Sequence, residues 1–137
     1  MSMQFSSALQ DTVTTNLVSA LNGELGATAN IHFFDGVQPA ACSDADDGTE
    51  LVLCQMDPTP FAAASGNVFS ANTIAPGTVI ADGDLLYFRM KDAGLDVIAQ
   101  GSCGIAAENI VFDDGDVTIG DTVTVTAFDV TVLLVGS

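Results

Sequence analysis

Thr122-Val123-Thr124-Val125-Thr126-Ala127-Phe128-Asp129-Val130-Thr131-Val132-Leu133-Leu134-Val135 decides the structural class of this chain. Apolar side chains alternate with polar ones, the period of two that sends successive residues to opposite faces of a strand. β-Branched residues dominate, and these fit a pleated surface better than a helix. Val123, Val125 and Ala127 share one face, with Thr122, Thr124 and Thr126 on the other. From Phe128 onward the apolar positions are even: Phe128, Val130, Val132 and Leu134. A one-residue change of phase would turn every later side chain to the wrong face, so a bulge is expected near Ala127 and Phe128.

Reading backward from this strand, shorter ones follow at regular spacing. Segments 110–112 and 117–119 flank the tight turn Asp113-Asp114-Gly115-Asp116. Segments 85–90 and 97–100 read as a hairpin across Lys91-Asp92-Ala93-Gly94. In the first of these, Phe88 and Met90 fall on one face and Tyr87 and Arg89 on the other. Weaker segments lie at 68–69 and at 73–80, the latter broken by Pro76-Gly77. A strand over 50–56 is closed by Pro58 and Pro60, and one over 31–34 ends at Asp35-Gly36. Between them runs a loop, 37–48, with Pro39 and three aspartates.

Residues 4–22 break the pattern and predict a helix. Phe5, Leu9, Val13, Leu17 and Leu21 recur every fourth residue, with Ala8 and Ala20 beside them, as one apolar stripe for docking. Ser6 or Ser7 can cap its start, and Gly23 and Gly26 are stop signals. The run Thr12-Val13-Thr14-Thr15 lowers the intrinsic propensity, so this helix depends on packing. The expected fold is a single all-β domain over 1–137, a β-sandwich or jelly roll over 29–135 with one N-terminal α-helix over 4–22.

Charge narrows the function. Eighteen acids, fifteen of them aspartate, face two bases, for a net charge of -16 on 137 residues. Nucleic acid and anionic membranes both need a Lys/Arg footprint, so neither is an expected partner. A chain that is 48% hydrophobic nonetheless has material for a core, which separates it from disordered acidic chains. No stretch approaches the ~18 apolar residues of a membrane span. The start, MSMQFSSALQDT, lacks the basic and apolar regions of a signal peptide, so synthesis and assembly in a cytoplasm are expected. Cys42, Cys54 and Cys103 are too few for a disulfide framework. Cys54 and Cys103 read as buried thiols, and a Cys42–Cys54 bridge across one loop is the alternative.

Few constellations carry chemistry. Asp44-Ala45-Asp46-Asp47-Gly48-Thr49-Glu50 has carboxylates at alternating positions around a glycine, like part of a calcium loop, without the EF-hand's full spacing or helices. Asp113, Asp114, Asp116 and Asp121 crowd a second turn. Asp44, Asp46, Asp113, Asp114 and Asp116 are therefore weak metal candidates, against the plain reading that Asp and Gly build tight turns. No cofactor is expected. The one histidine, His32, sits in an apolar strand without a nucleophile motif and reads as a core or interface residue, so no catalysis is expected. Arg89 reads as one half of an intramolecular bidentate pair. A sharper reading places it at a subunit contact.

The order of segments resembles a family of small tailed-bacteriophage proteins. The resemblance runs through Ile31-His32-Phe33-Phe34-Asp35-Gly36-Val37-Gln38-Pro39-Ala40, Asp47-Gly48-Thr49-Glu50-Leu51, Tyr87-Phe88-Arg89 with Asp92-Ala93-Gly94 and Gln100-Gly101-Ser102, and Gly120-Asp121 leading into the closing strand. Phe33 departs from the family's tyrosine, and the acid load is unusual. The resemblance implies a virion structural protein. The expectation is a capsid decoration, or cement, protein on the outer surface of the virion, a dimer or trimer that binds the major capsid protein. A tail or neck component is the alternative, and a glycan-binding module, lacking Trp and holding one Tyr, is a weaker rival. Met1 and Phe5 in the N-terminal segment, Val37, Gln38 and Pro39 in the loop, and Arg89 are the expected contact residues.

Overall fold

The computed structural model describes residues 3–105, 109–113 and 116–132. The chain is mostly β with one N-terminal helix. A seven-stranded sheet contains β1 (Asn30–Phe34), β2 (Glu50–Gln55), β3 (Val68–Ser70), β6 (Tyr87–Lys91), β7 (Val97–Gly104), β8 (Ile110–Phe112) and β11 (Val125–Thr131), in the order β2-β1-β6-β7-β8-β11-β3. All neighbours are antiparallel except β7 and β8. Two ribbons complete it: β4 (Gly77–Thr78) with β10 (Thr122–Val123), and β5 (Gly83–Asp84) with β9 (Asp116–Val117).

The sheet curls. Phe33 of β1 meets Phe112 of β8 edge-on, with ring centres 5.5 Å apart, although β6 and β7 lie between their strands. Phe88 and Phe128 meet at 5.4 Å across two further strands, and Phe61 completes the cluster against Phe69 and Phe128. Segment 75–80 then ties the two halves together. Ala75 and Ile80 donate to Gln55 and Leu51 of edge strand β2, while Val79 exchanges backbone bonds with Gly120 and Asp121 just before β10. Each such ring pair contributes about 1 kcal/mol beyond the area it buries.

The 85–100 hairpin forms as its alternation predicts, with Arg89 opposite Gln100 and Phe88 and Met90 in the core. The closing strand divides into β10 and β11, and its irregularity lies between Val125 and Ala127, just before the expected place. Ala127 is exposed and Phe128 buried, so the change of phase is the one its alternation requires. Leu133, Leu134 and Val135 lie outside the described residues. Segments 110–112 and 117 flank their turn without pairing to each other: β8 joins β7 and β11, whereas β9 joins β5.

The helix α1 runs Ser7–Leu25, later than expected at both ends. Ser6 caps it by accepting from the Leu9 N–H. Gly23 does not stop it. Gly26 does, with φ 73° and its N–H returned to Asn22 O. The predicted docking stripe is corrected as well. Gln10, Thr14, Val18 and Leu25 are the buried residues, whereas Leu9, Val13 and Leu17 remain partly exposed. Thr14 can be buried because its hydroxyl donates to Gln10 O inside the helix, and Gln10 donates to Phe5 O. Asn22 pins the helix to the sheet's flanking chain by donating to Phe61 O and accepting from Phe61 N, at 3.0 and 2.9 Å.

Candidate functional site

The loop 37–48 folds over the outer face of the sheet at β6 and β7. Its neck is built by two Asp-Gly steps. Asp35 accepts from Thr49 N at 2.6 Å through its carboxylate, and Asp47 accepts from Val37 N at 2.7 Å. Asp35 N also donates to Thr49 O. The backbones approach so closely that a Cβ on Gly36 would stand 2.6 Å from Asp47 O, and one on Gly48 2.5 Å from Gly36 N. Gly48 also has φ 76°, which disfavours any side chain. The result is a pinched Ω-loop, and it gives a physical reason for the two Asp-Gly segments of the sequence.

Four side chains of the sheet hold the loop, Tyr87 at its neck and Arg89, Lys91 and Gln100 at its far end. On β6, alternation sends Tyr87, Arg89 and Lys91 outward, and Gln100 stands opposite Arg89 on β7. The Tyr87 hydroxyl donates to Asp47 O at 2.6 Å and accepts from Asp47 N, while its ring stacks on Phe34 at 5.0 Å. Gln100 donates to Pro39 O at 2.8 Å. Arg89, only 1% exposed, donates from Nη1 to Asp44 O and Asp46 Oδ1, both at 2.8 Å, from Nη2 to Ala41 O at 3.2 Å, and from Nε to Gln100 Oε1 at 3.0 Å. Lys91 reaches Asp46 Oδ2 at 2.8 Å. The two bases of the chain thus share one carboxylate.

These contacts set the electrostatics. Burial pushes the Asp46 carboxyl up, but the hydrogen bonds and charges of Lys91 and Arg89 outweigh it and hold Asp46 below the usual carboxylate range. Burial raises the Tyr87 phenol above its ordinary value. Beside the clamp, Cys42, Asp44, Asp46, Lys91, Leu95 and Asp96 line an open depression of about 600 Å³.

The expected site residues are distributed as follows. Val37 is 77% exposed, Gln38 is exposed and Pro39 is half-buried, all on the loop's solvent side. Phe5 is half-buried before α1, and Met1 lies outside the described residues. Arg89 is buried, and its hydrogen bonds to Ala41, Asp44, Asp46 and Gln100 make the intramolecular pairing read from the sequence into a clamp on the loop. Its pairing with Asp46 is not bidentate, since Nη1 alone reaches that carboxylate. Asp44 accepts from Ala41 N and Asp121 from Thr118 N within their own turns, while Asp113 accepts from Thr124 N in a more distant segment. Asp116 is exposed on β9, and Asp114 lies outside the described residues. Among the described residues no three His, Cys, Asp or Glu side chains converge on a metal position.

His32 is buried on the outer face beside Arg89 in the register, and its Nδ1 contacts Glu50 Oε1. Cys54 is buried, which pushes its thiol up to about 11, and Cys103 is buried as well. Cys42 is exposed on the loop, and no Cys42–Cys54 bridge forms. Sequence reasoning missed the clamp itself, above all Tyr87 and Gln100. The available signal was the outward pair Tyr87 and Arg89 in a strand whose inward pair is fully apolar.

No helix among the described residues is long and apolar enough to cross a membrane. Comparison with protein families, with curated proteins and with solved structures finds no match for this chain.

Proposed function

We propose that this chain is a structural building block of a tailed-phage particle, a decoration protein that binds the major capsid protein on the outer face of the shell and bridges neighbouring subunits. The observation that carries the reading is the locked loop 37–48. Its neck and far end are fixed by the chain's own side chains, so its exposed face, Val37 and Gln38 foremost, is presented without an ordering cost at binding. The segments that form the neck, Asp35-Gly36 and Asp47-Gly48, are the same ones that carry the resemblance to phage proteins. The phage assignment rests on that resemblance alone.

The mechanism is stapling. Each copy adds buried area across a seam between shell subunits, and binding the assembled state alone shifts the equilibrium away from dissociation. The carboxylate surface suits an outward, solvent-facing address, because packaged DNA would repel it. No chemical step is part of the proposal. The same reading extends to architecture. The two halves of the curled sheet act as the layers of a sandwich, supported by the Phe33–Phe112 and Phe88–Phe128 contacts between them. A tail or neck component is the second reading, since a locked loop serves any fixed joint. A glycan-binding role has less support, because the one tyrosine is buried against Phe34.

Counting copies by quantitative mass spectrometry of purified particles tests the assignment. Hundreds of copies per particle are expected, and a dozen or fewer would move the chain to the tail or neck. Complete absence from particles would end the proposal. Val37→Asp is expected to leave folding intact and to weaken binding to shells.

A further inference from the structure

The seven-stranded sheet has a gap at β7. This strand pairs with β6 from Val97 to Ser102, but on its other side, among the described residues, β8 joins it only at Cys103 and Gly104. Alternation fixes which backbone groups face that side. Cys103 N donates to Leu86 O, so Gly101 and Ala99 also turn their N–H and C=O to β6, and Ser102 and Gln100 turn theirs away. Ser102 N donates to Asn109 Oδ1 at 3.1 Å, a side chain standing where a neighbouring strand would be. Gly101 admits it, since a Cβ there would lie 2.7 Å from that oxygen. Gln100 has no such stand-in: its backbone N–H and C=O meet no partner among the described residues.

Alongside this open edge lies a cleft of about 370 Å³ between α1 and the sheet. Leu17, Leu21, Phe88, Ile98, Phe128 and Val130 are among its walls, and no charged residue lines it. Gln100 belongs to the same lining, so a free strand edge and an apolar recess share one mouth. An unpaired edge is a template for another strand, and a recess beside it takes the side chains which that strand turns inward. A small apolar molecule would fill the recess and leave the N–H and C=O bare. An extended backbone satisfies both.

The geometry also sets the side chains of the occupant. Gln100 sends its own side chain outward to Pro39 O, so a residue paired with it points outward too, and the two neighbours of that residue enter the cleft. Those two are apolar, because nothing in the cleft could pair a buried charge. Charge complementarity decides the flanks. The chain carries -16, Arg89 and Lys91 are both tied to Asp46, and Asp96 is exposed just before β7. Basic flanks are attracted there and acidic ones repelled.

We infer that the open edge of β7 at Gln100 is a docking site for an extended peptide segment of a partner protein. The segment adds as an antiparallel strand, places two apolar side chains in the cleft and carries basic residues outside them. The inference rests on the building-block reading for its role, and it names the kind of segment through which a neighbouring protein engages this chain.

The probe is the synthetic peptide acetyl-Lys-Leu-Thr-Leu-Lys-amide, titrated at low salt into the isotope-labelled chain and followed by nuclear magnetic resonance. Its threonine pairs with Gln100, and its leucines enter the cleft. Saturable binding is expected, with the largest shifts at the amides of Ile98, Gln100 and Asn109. Methylating the threonine nitrogen removes the donor to Gln100 O and is expected to weaken binding at least about 10-fold. Exchanging both lysines for glutamate is expected to weaken it by a similar factor. Leu17→Glu, at a position 37% exposed, sets a carboxylate at the mouth and is expected to abolish binding with an unchanged circular dichroism spectrum. The peptide comparisons use the wild-type chain, so they decide the matter even if that variant does not fold. No saturation up to about 1 mM peptide would overturn the site. So would shifts centred away from β7, a methylated or glutamate peptide that binds as tightly as the parent, or a folded Leu17→Glu protein that binds like wild type. None of these outcomes bears on copy number in particles, so the shell assignment stands or falls separately.

Discussion

Replacing Arg89 with methionine isolates the clamp. The substitution keeps the apolar stem and removes four hydrogen bonds: one to a carboxylate, two to loop carbonyls and one to Gln100. A hydrogen bond to a charged group contributes about 1.5–3 kcal/mol net, and the full set is not additive. The Ala41 and Asp44 carbonyls belong to an exposed loop and regain water when it lifts, which limits the cost. The expected loss is about 3 kcal/mol, close to that for breaking a buried pair. For a chain of this size that corresponds to a melting temperature lower by about 10 °C. Asp46→Asn should cost less, about 1 kcal/mol, because Asp46 is more than a third exposed and its pairing is screened by solvent. Melting is followed by far-ultraviolet circular dichroism, and the loop by amide hydrogen exchange. Arg89→Met is expected to speed exchange at Asp47, whose N–H donates to Tyr87, well before global unfolding. Unchanged exchange across 37–48, or a loss no greater than that of Asp46→Asn, would refute the clamp.

Gly48→Ala should destabilise by at least about 2 kcal/mol in a denaturant titration, since it combines φ 76° with a backbone clash at the loop neck; a neutral result would mean the neck opens freely. The folded-state pKa of Tyr87 is raised, so its contribution is full below the unfolded value of about 10 and is lost as pH rises through the folded one. Because Tyr87 is the single tyrosine and tryptophan is absent, phenolate absorbance reads this group alone, and a midpoint equal to that of the denatured chain would contradict its burial. Asp46 carries the opposite sign: its contribution is present above the ordinary carboxylate pKa and fades as pH falls through its lowered value, so loop protection, taken as exchange relative to the intrinsic rate at each pH, should hold from neutral pH down to about pH 4 and fall below it. Thiol titration of the native protein should find one fast group, Cys42, with Cys54 and Cys103 reacting only on unfolding.

The β class, the 85–100 hairpin and the phase change before Phe128 were legible because alternation is local: each strand records in its own residues which side is apolar. For 110–112 and 117–119 the sequence marked the turn between them and not their partners, which lie elsewhere in the chain. The helix shows the opposite case. Its most apolar stripe pointed to Leu9, Val13 and Leu17 as the docking face, yet Gln10 and Thr14 are buried, their side chains donating to the backbone at Phe5, just before the helix, and at Gln10 within it. A hydrophobicity pattern cannot register polar groups that satisfy one another.

The loop was visible as a loop, from Pro39 and its aspartates, but not as a rigid surface. Its rigidity depends on Tyr87 meeting Asp47 and Arg89 meeting Asp44 and Asp46, contacts forty or more residues apart. Alternation along one strand determined that Tyr87 and Arg89 point outward. Only the tertiary structure decided that outward, here, means beneath a loop, because a side chain's surroundings are set by whatever distant segment folds over it.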